Sequence, residues 1–259
     1  MLRAVVTDLH LGQAPDDEER FFATLVALER RRVDEVVLLG DTFRALVGFE
    51  RFWDDEVHAE LAALAAVRAR GVRVVLVEGN RDFFLDSADL RPYCDACGPA
   101  HSFAAGGRRF LLEHGDLINV HDYRYRFWRA LSKSRPARLW AQVLPRRFAR
   151  RIVSGTEARL AATNFAYRKT LPEPQLEAAA RRHFAAGVDV VLWGHFHQVW
   201  RFDVGPRAAM IIPDWLSTGS VAFIDERGGL EVIAVAGGQF VDSAATPWYE
   251  GNEARAGTR

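Results

Sequence analysis

Two cysteines in 259 residues are too few to staple a fold together. Cys94 and Cys97 form a lone C-x-x-C pair, half of what a structural zinc site requires unless a histidine such as His101 joins it. Two reduced thiols are the expected state. No apolar run approaches the roughly 20 residues that cross a bilayer as a helix, which excludes a helical membrane span. Net charge is absent too, with 34 basic residues balanced by 34 acidic ones. Overall charge therefore points to no nucleic-acid partner. No cleaved leader is expected, because the first ten residues already form a strand ending in the polar pair Asp8 and His10. There is no internal repeat. What remains is an ordinary globular composition, 49% apolar and 26% charged, at a length that supports one large α/β core.

Strand and helix patterns alternate through the first half. The apolar spacing predicts helices over 17–31 (Phe21, Phe22, Leu25, Leu28) and 54–69 (Val57, Leu61, Leu64, Ala65), with a further helix expected near 83–91. After residue 197 the pattern becomes almost all strand, at 199–204, 208–213, 218–225 and 230–235, with turns at Gly205-Pro206 and Gly228-Gly229. Together these predict a two-sheet α/β sandwich flanked by helices. Residues 237–259, rich in Gly, Ala and Thr, read as a flexible tail.

Five of the predicted strands run out into a metal-ligating side chain. Val5-Val6-Thr7 leads to Asp8 and His10, Val36-Val37-Leu38-Leu39-Gly40 to Asp41, Val74-Val75-Leu76-Val77-Glu78-Gly79 to Asn80, Phe110-Leu111-Leu112-Glu113 to His114, and Val190-Val191-Leu192-Trp193-Gly194 to His195 and His197. Any one of these is ordinary, since a lone histidine is more often a satisfied surface or core group. Five in succession predict one centre assembled at a sheet edge, of the dinuclear metallophosphoesterase kind. The reading places Asp8, His10 and His197 on one ion and Asn80, His114 and His195 on the other, with Asp41 bridging. Two divalent ions about 3.5–4 Å apart need a bridging anion, and a water held between them is the expected nucleophile for attack on phosphorus. Imidazole, carboxylate and amide oxygen suit manganese, iron or zinc better than a thiolate set would.

The segment 121–170 is chemically distinct. It holds thirteen basic residues, among them Arg124, Arg129, Lys133, Arg138 and Arg150, against two acidic ones, Asp122 and Glu157, a net +11 in an otherwise acidic chain. Tyr123, Phe127, Trp128, Leu131, Leu139, Trp140, Val143, Leu144 and Phe148 are interleaved at helical spacing, and Pro136 and Pro145 divide the segment into short helices. A basic amphipathic element with Trp and Phe reads as an interfacial membrane helix. An anionic-ligand lid, a nucleic-acid surface or a solvated helical cap has similar composition.

Asp8-Leu9-His10, Gly40-Asp41, Gly79-Asn80-Arg81-Asp82-Phe83, His114-Gly115-Asp116 and Gly194-His195-Phe196-His197 resemble the motifs of the UDP-2,3-diacylglucosamine pyrophosphatase family of lipid A biosynthesis, within the calcineurin-like metallophosphoesterases. The likeness runs from about residue 1 to 225. It implies a four-layer metallophosphoesterase sandwich, two mixed β-sheets flanked by helices, with core segments 1–120 and 171–236 and a helical lid over 121–170. It also implies two divalent ions, most often Mn(II), and hydrolysis of UDP-2,3-diacylglucosamine to UMP and 2,3-diacylglucosamine 1-phosphate. An enzyme of this kind sits peripherally on the cytoplasmic face of the inner membrane, against an anionic lipid surface, with no nucleic acid and no obligate protein partner. Asn80, Arg81 and His195 are then the expected catalytic residues. Asn80, Arg81, Asp122, Asn164, Lys169 and His195 are the expected substrate contacts, with Arg168 as an alternate. The chain departs from the family at Gly194-His195-Phe196-His197-Gln198-Val199, where G-H-T-H-R-P is usual, and at Gly40-Asp41-Thr42-Phe43, where G-D-L-F is usual.

Arg81 is intelligible on chemical grounds. An alkoxide leaving group benefits from a general acid, but a phosphate leaving group has a second pKa of about 6 and departs with little protonation. An arginine clamping phosphate oxygens is then worth more than an acid. Two alternatives share these motifs: a paralogue cleaving another nucleotide-diphosphate lipid, sugar or phosphodiester, and a non-catalytic scaffold on the same fold. The scaffold would be expected to have lost ligands.

Overall fold

Alternation of side chains along the strands decides the layering. The computed structural model describes residues 1–151, 153, 171–241 and 247–249. Its first half contains β1 (Arg3–Val6), α1 (Asp17–Arg30), β2 (Glu35–Leu39), β3 (Leu46–Val47), α2 (Asp55–Ala69), β4 (Arg73–Val77), β5 (Asp82–Phe83), β6 (Ala96–Gly98), β7 (Ala100–Ala105) and β8 (Arg108–Glu113). After the insertion come α5 (Glu173–Ala185), β9 (Val190–Trp193), β10 (Trp200–Val204), β11 (Arg207–Ile211), α6 (Trp215–Thr218), β12 (Ser220–Ile224), β13 (Leu230–Ala236), β14 (Gln239–Val241) and β15 (Pro247–Tyr249). The insertion itself supplies α3 (Tyr123–Ser132) and α4 (Arg135–Val143), and residues 146–151 are again helical.

One sheet has the order β14-β13-β12-β1-β2-β4-β6, with β15 also paired to β13, and the other has the order β10-β11-β9-β8-β7. Both are mixed: β1, β2, β4 and β6 run parallel while β12 joins β1 antiparallel, and β8, β9 and β11 run parallel while β7 and β10 do not. Successive residues of a strand face opposite sides. Val5, Val37, Leu39, Val75 and Val77 of the first sheet meet Phe110, Leu112, Val190, Leu192 and Met210 of the second in a shared core. Their neighbours Ala4, Val6, Val36, Leu38, Val74 and Leu76 pack beneath Phe21, Leu25 and Leu28 of α1 and Leu61 and Leu64 of α2. On the outer face of the second sheet, Val191, Trp193, Ala209 and Ile211 are covered by Leu176, Ala180 and Phe184 of α5. The result is helix, sheet, sheet, helix, as the sequence predicts. Strands buried on both faces need continuous apolar runs, which is why 36–39, 74–77 and 190–193 show no polar alternation.

Two expectations change. No α-helix forms over 83–91. Asp82 and Phe83 pair in parallel with Leu46 and Val47, Phe84 turns left-handed at φ 58°, and Ser87 accepts from Asp89 N to start a single 3₁₀ turn at Ala88–Leu90. Asp86, Ser87 and Asp89 bond to nearby backbone as readily as they join a helix. The tail also does not begin where composition suggests. Gly237 and Gly238, both at positive φ, turn the chain so that Gln239–Val241 pairs with Ala234–Ala236, and Pro247–Tyr249 pairs with the start of β13. Gly-Gly there is a hairpin turn.

The insertion folds back on the core. Asp122 caps α3 through Tyr125 N at 2.9 Å and Ser134 caps α4 through Ala137 N at 3.3 Å, with Pro136 in the first turn. Ala141, Leu144 and Ala149 join the first sheet's outer core cluster, Arg51 donates to Leu144 O, and Arg150 donates to Trp53 O. Trp128 meets the edge of Phe83 at 5.8 Å. The opposite side is left apolar and open: Tyr123, Phe127, Leu131, Leu139, Trp140 and Val143 are exposed.

Candidate metal centre

Five parallel strands, β1, β2, β4, β8 and β9, deliver the candidate ligands from their C-terminal ends, the end at which open α/β sheets bind ligands. Backbone geometry at this edge is unusual. Asp8, His10, Asp41, His195 and His197 all lie at positive φ, between 49° and 70°. Non-glycine residues seldom occupy this region, and such strain clusters where function holds it in place. The glycine before a ligand has a steric reason. A Cβ on Gly40, itself at φ +80°, would stand 2.4 Å from His114 Nδ1, and one on Gly194 would stand 2.0 Å from Thr7 Oγ1.

The ligand atoms converge in two groups. Asp8, His10 and His197 form one; Asp8, Asp41 and His114 form the other. His10 Nε2 and His197 Nε2 face each other at 3.4 Å, and Asp8 Oδ1 lies 3.8 Å and 3.7 Å from them. Asp8 Oδ1 is buried without a hydrogen-bond partner among the described residues. An ionised oxygen buried in that way is costly, and a cation between the three atoms removes the cost. Asp8 Oδ2 is held separately by His195 N at 2.8 Å and by the Thr7 hydroxyl at 2.8 Å. The residues therefore fit a divalent ion.

In the second group His114 Nε2 is 3.2 Å from Asn80 Oδ1 and 3.6 Å from Asp41 Oδ1, while Nδ1 lies 3.1 Å from Leu39 O. A carbonyl can only accept, so Nδ1 carries a proton toward Leu39 O, and with a cation at the centre Nε2 would present its lone pair to it. The His195 ring stands edge-on to His114 at 5.1 Å. All seven candidate ligands are thus brought to one edge, and Asp8 is the residue common to the two groups.

Burial sets the protonation states. It pushes His10 down to about 4 and lowers His195, keeping both imidazoles neutral. At Asp41 burial pushes upward, but His114, His10 and Arg81 outweigh it and hold the carboxyl at about 2. Asp82, buried beside that charge, is pushed up to about 7.

Arg81 is 1% exposed. Its backbone N donates to Asp41 Oδ1 at 2.9 Å, its Nε lies 3.6 Å from Asp41 Oδ2, and Nη1 donates to Arg44 O. Its Nε and Nη2 have no hydrogen-bond partner among the described residues. Asp122 caps α3, and Asn164, Arg168 and Lys169 lie outside the described residues. The Cys94, Cys97 and His101 combination does not form: His101 Nε2 lies 3.2 Å from the buried Glu35, and the thiols donate to Leu90 O and Leu85 O. Burial pushes Cys94 up to about 12.

Several supporting residues carried no role in the sequence reading. Asp82 Oδ2 accepts from both Asp41 N and Gly79 N, clamping the ends of β2 and β4 together. Asp116 accepts from Arg129 Nε at 2.7 Å and from the Tyr125 hydroxyl. Lys133 Nζ lies 3.0 Å from both Glu78 Oε2 and Gly79 O. Asp82 and Asp116 stand inside the motifs, so proximity to a ligand was their signal. Asp214, 3.5 Å from His197 Nδ1, had none beyond a helix-cap pattern.

The comparisons with known proteins agree with this geometry. The family model for calcineurin-like phosphoesterases matches residues 1–199. A UDP-2,3-diacylglucosamine hydrolase from Stenotrophomonas maltophilia (strain K279a) is 29% identical over 253 residues, covering 88% of this chain and 96% of its own. One from Azotobacter vinelandii is 30% identical over 241 residues, with the same coverages of 88% and 96%. Among solved structures, a novel archaeal phosphodiesterase shares the fold with a TM-score of 0.50 at 14% identity, covering 91% of this chain and all of its own. With the ligand edge lying within the matched span, this chain belongs to the calcineurin-like phosphoesterase family.

Proposed function

We propose that the protein hydrolyses the pyrophosphate bond of UDP-2,3-diacylglucosamine, yielding UMP and 2,3-diacylglucosamine 1-phosphate, with two divalent ions, Mn(II) by preference. The observation that carries this reading is the coupling of a two-part ligand cluster to an insertion that is basic, apolar and anchored to the ligand loops. The names of the relatives, at about 30% identity over most of the chain, support the substrate.

Asp8, His10 and His197 would hold one ion and Asn80, His114 and His195 the other, with Asp41 able to serve both. Bound divalent ions supply Lewis acidity and a nucleophile at neutral pH. Arg81 offers N–H donors beside Asp41 that have no hydrogen-bond partner among the described residues, where a phosphate oxygen would satisfy them. Asn80 and His195 contact the reacting phosphate, and Asp122, Asn164 and Lys169 contact the rest of the substrate. The open apolar side of the insertion, with arginines around it, meets the anionic inner-membrane surface and shelters acyl chains. No helix among the described residues is long and apolar enough to cross a membrane.

The test is a comparison of catalytic efficiency, with manganese, toward UDP-2,3-diacylglucosamine and toward bis(p-nitrophenyl) phosphate. A strong preference for the nucleotide lipid is expected. Equal or reversed preference would leave a general phosphodiesterase.

A further inference from the structure

The seven ligand side chains do not by themselves explain why His197 faces its partners with Nε2. His197 Nε2 points at His10 Nε2 and Asp8 Oδ1, so its other nitrogen must point away from the centre. There, 3.5 Å from Nδ1, lies Asp214 Oδ2. At this separation Asp214 faces Nδ1 as a charged neighbour, without a formed hydrogen bond between them.

Asp214 is buried and doubly fixed. Its Oδ2 accepts from Ser217 N at 2.8 Å, capping α6. The same turn is stapled to the first ligand strand, with Trp215 N donating to Thr7 O at 2.9 Å and Leu216 N approaching Asp8 O at 3.4 Å. Arg20 clamps it from outside through Trp215 O and Leu216 O, and Trp215 Nε1 donates to Thr24. The carboxylate thus has a fixed place relative to Asp8 as well as to His197.

We propose that Asp214 is a positioning residue: its carboxylate accepts the Nδ1–H of His197, fixes that tautomer, and so turns the Nε2 lone pair toward the ion held by Asp8, His10 and His197. This rests on the reading of the centre as a divalent-metal site. A carboxylate behind a ligating imidazole raises its basicity and orients the ring, and loss of such a partner weakens metal binding by about 10–100-fold. The separation of 3.5 Å is long for a hydrogen bond, and ligation of Nε2 would shorten it by making Nδ1–H a stronger donor.

Two variants separate positioning from capping. Asp214→Ser keeps a hydroxyl that can cap α6 but is too short to reach His197. Asp214→Asn keeps the length and an acceptor but removes the charge. Mn(II) titration of the full chain by calorimetry, with melting temperature and histidine-labelled NMR of the metal-free protein, reads both effects. The expected result for Asp214→Ser is about 10–100-fold weaker binding of one of two ions, a near-normal metal-free melting temperature, and loss of the single Nδ1–H tautomer at His197. Asp214→Asn should fall between it and the wild type. Unchanged affinity for both ions with an unchanged His197 tautomer overturns the proposal. So does equal weakening of both ions together with a lower metal-free melting temperature, which would make Asp214 a helix cap alone. A wild-type protein that binds two ions yet leaves the nucleotide lipid intact would reject the proposed substrate while Asp214 kept its role.

Discussion

Arg129 Nε sits 2.7 Å from Asp116 Oδ2, tying the first helix of the insertion to the residue two places beyond His114. Four residues further along, the Lys133 ammonium reaches Glu78 and the carbonyl of Gly79, immediately before Asn80. One helix therefore spans the loops of two candidate ligands on neighbouring halves of the molecule. Whatever displaces α3 also pulls on His114 and Asn80.

Arg129→Met keeps an apolar stem and leaves Asp116, among the described residues, with the Tyr125 hydroxyl as its side-chain donor. Removing a partner from a buried carboxylate costs about 1–3 kcal/mol. The expected result is a lower melting temperature together with faster amide exchange across α3. Unaltered exchange in α3 would mean that the Arg129–Asp116 contact does not hold the helix down.

Asp41→Ala should abolish retention of both ions and nearly all turnover. It also leaves the Arg81 guanidinium, 1% exposed, without its counter-charge. Breaking a buried ion pair from one side destabilises by about 3–5 kcal/mol. The metal-free Asp41→Ala protein should therefore melt earlier than metal-free wild type, and adding Arg81→Met should recover part of the loss. Additive losses in the double variant would show that the two side chains are not energetically coupled.

Glu60 gives a pH signature far from the centre. Burial, then Asp17, Glu18, Asp54 and Glu56, raise its carboxyl to about 8 from 4.5. Unfolded, it ionises near 4.5; folded, it keeps its proton to about 8. The folded chain holds the extra proton between these values, so this group's contribution is complete below 4.5 and lost as pH rises through 8. Glu60→Gln should remove that loss, adding on the order of 2–3 kcal/mol at pH 8 and little at pH 5. Melting curves of both proteins at the two pH values provide the check; a constant difference would rule it out.

For membrane engagement the informative pair is Phe127 and Trp140, exposed at 72% and 54%, and not Trp128, which also packs on Phe83. Changing both to Ser should weaken binding to anionic vesicles and raise the apparent KM for the diacyl substrate. Hydrolysis of a small soluble diester should stay as it was. Equal loss on both substrates would make these side chains part of the fold, and no loss on either would remove the lid from lipid handling.

Local pattern carried the core and the candidate ligands because both are written in adjacent residues. Val36 to Leu39 and Val74 to Val77 announce strands buried on two faces, and a candidate ligand follows each. Contacts between distant segments left no such trace. His195 N meets Asp8 across 187 positions, and Asp214 meets His197 only after the intervening chain has made β10 and β11. Residues 83–91 misled because their apolar content suited a helix while Asp86, Ser87 and Asp89 preferred turns. Gly237 and Gly238 misled in the other direction, reading as looseness where they close a hairpin.

The left-handed backbone at Asp8, His10, Asp41, His195 and His197 has a consequence for how this protein would respond to laboratory evolution. Each such conformation costs on the order of 1–3 kcal/mol. A screen that rewarded heat resistance in metal-depleted protein would therefore find its easiest gains at Asp8, His10, His195 and His197, by exchanging them for asparagine or glycine, before it improved the apolar core; Asp41 is excepted because buried Arg81 needs its charge. The hardiest survivors would be folded and inert, so selection here has to be run with the cation present.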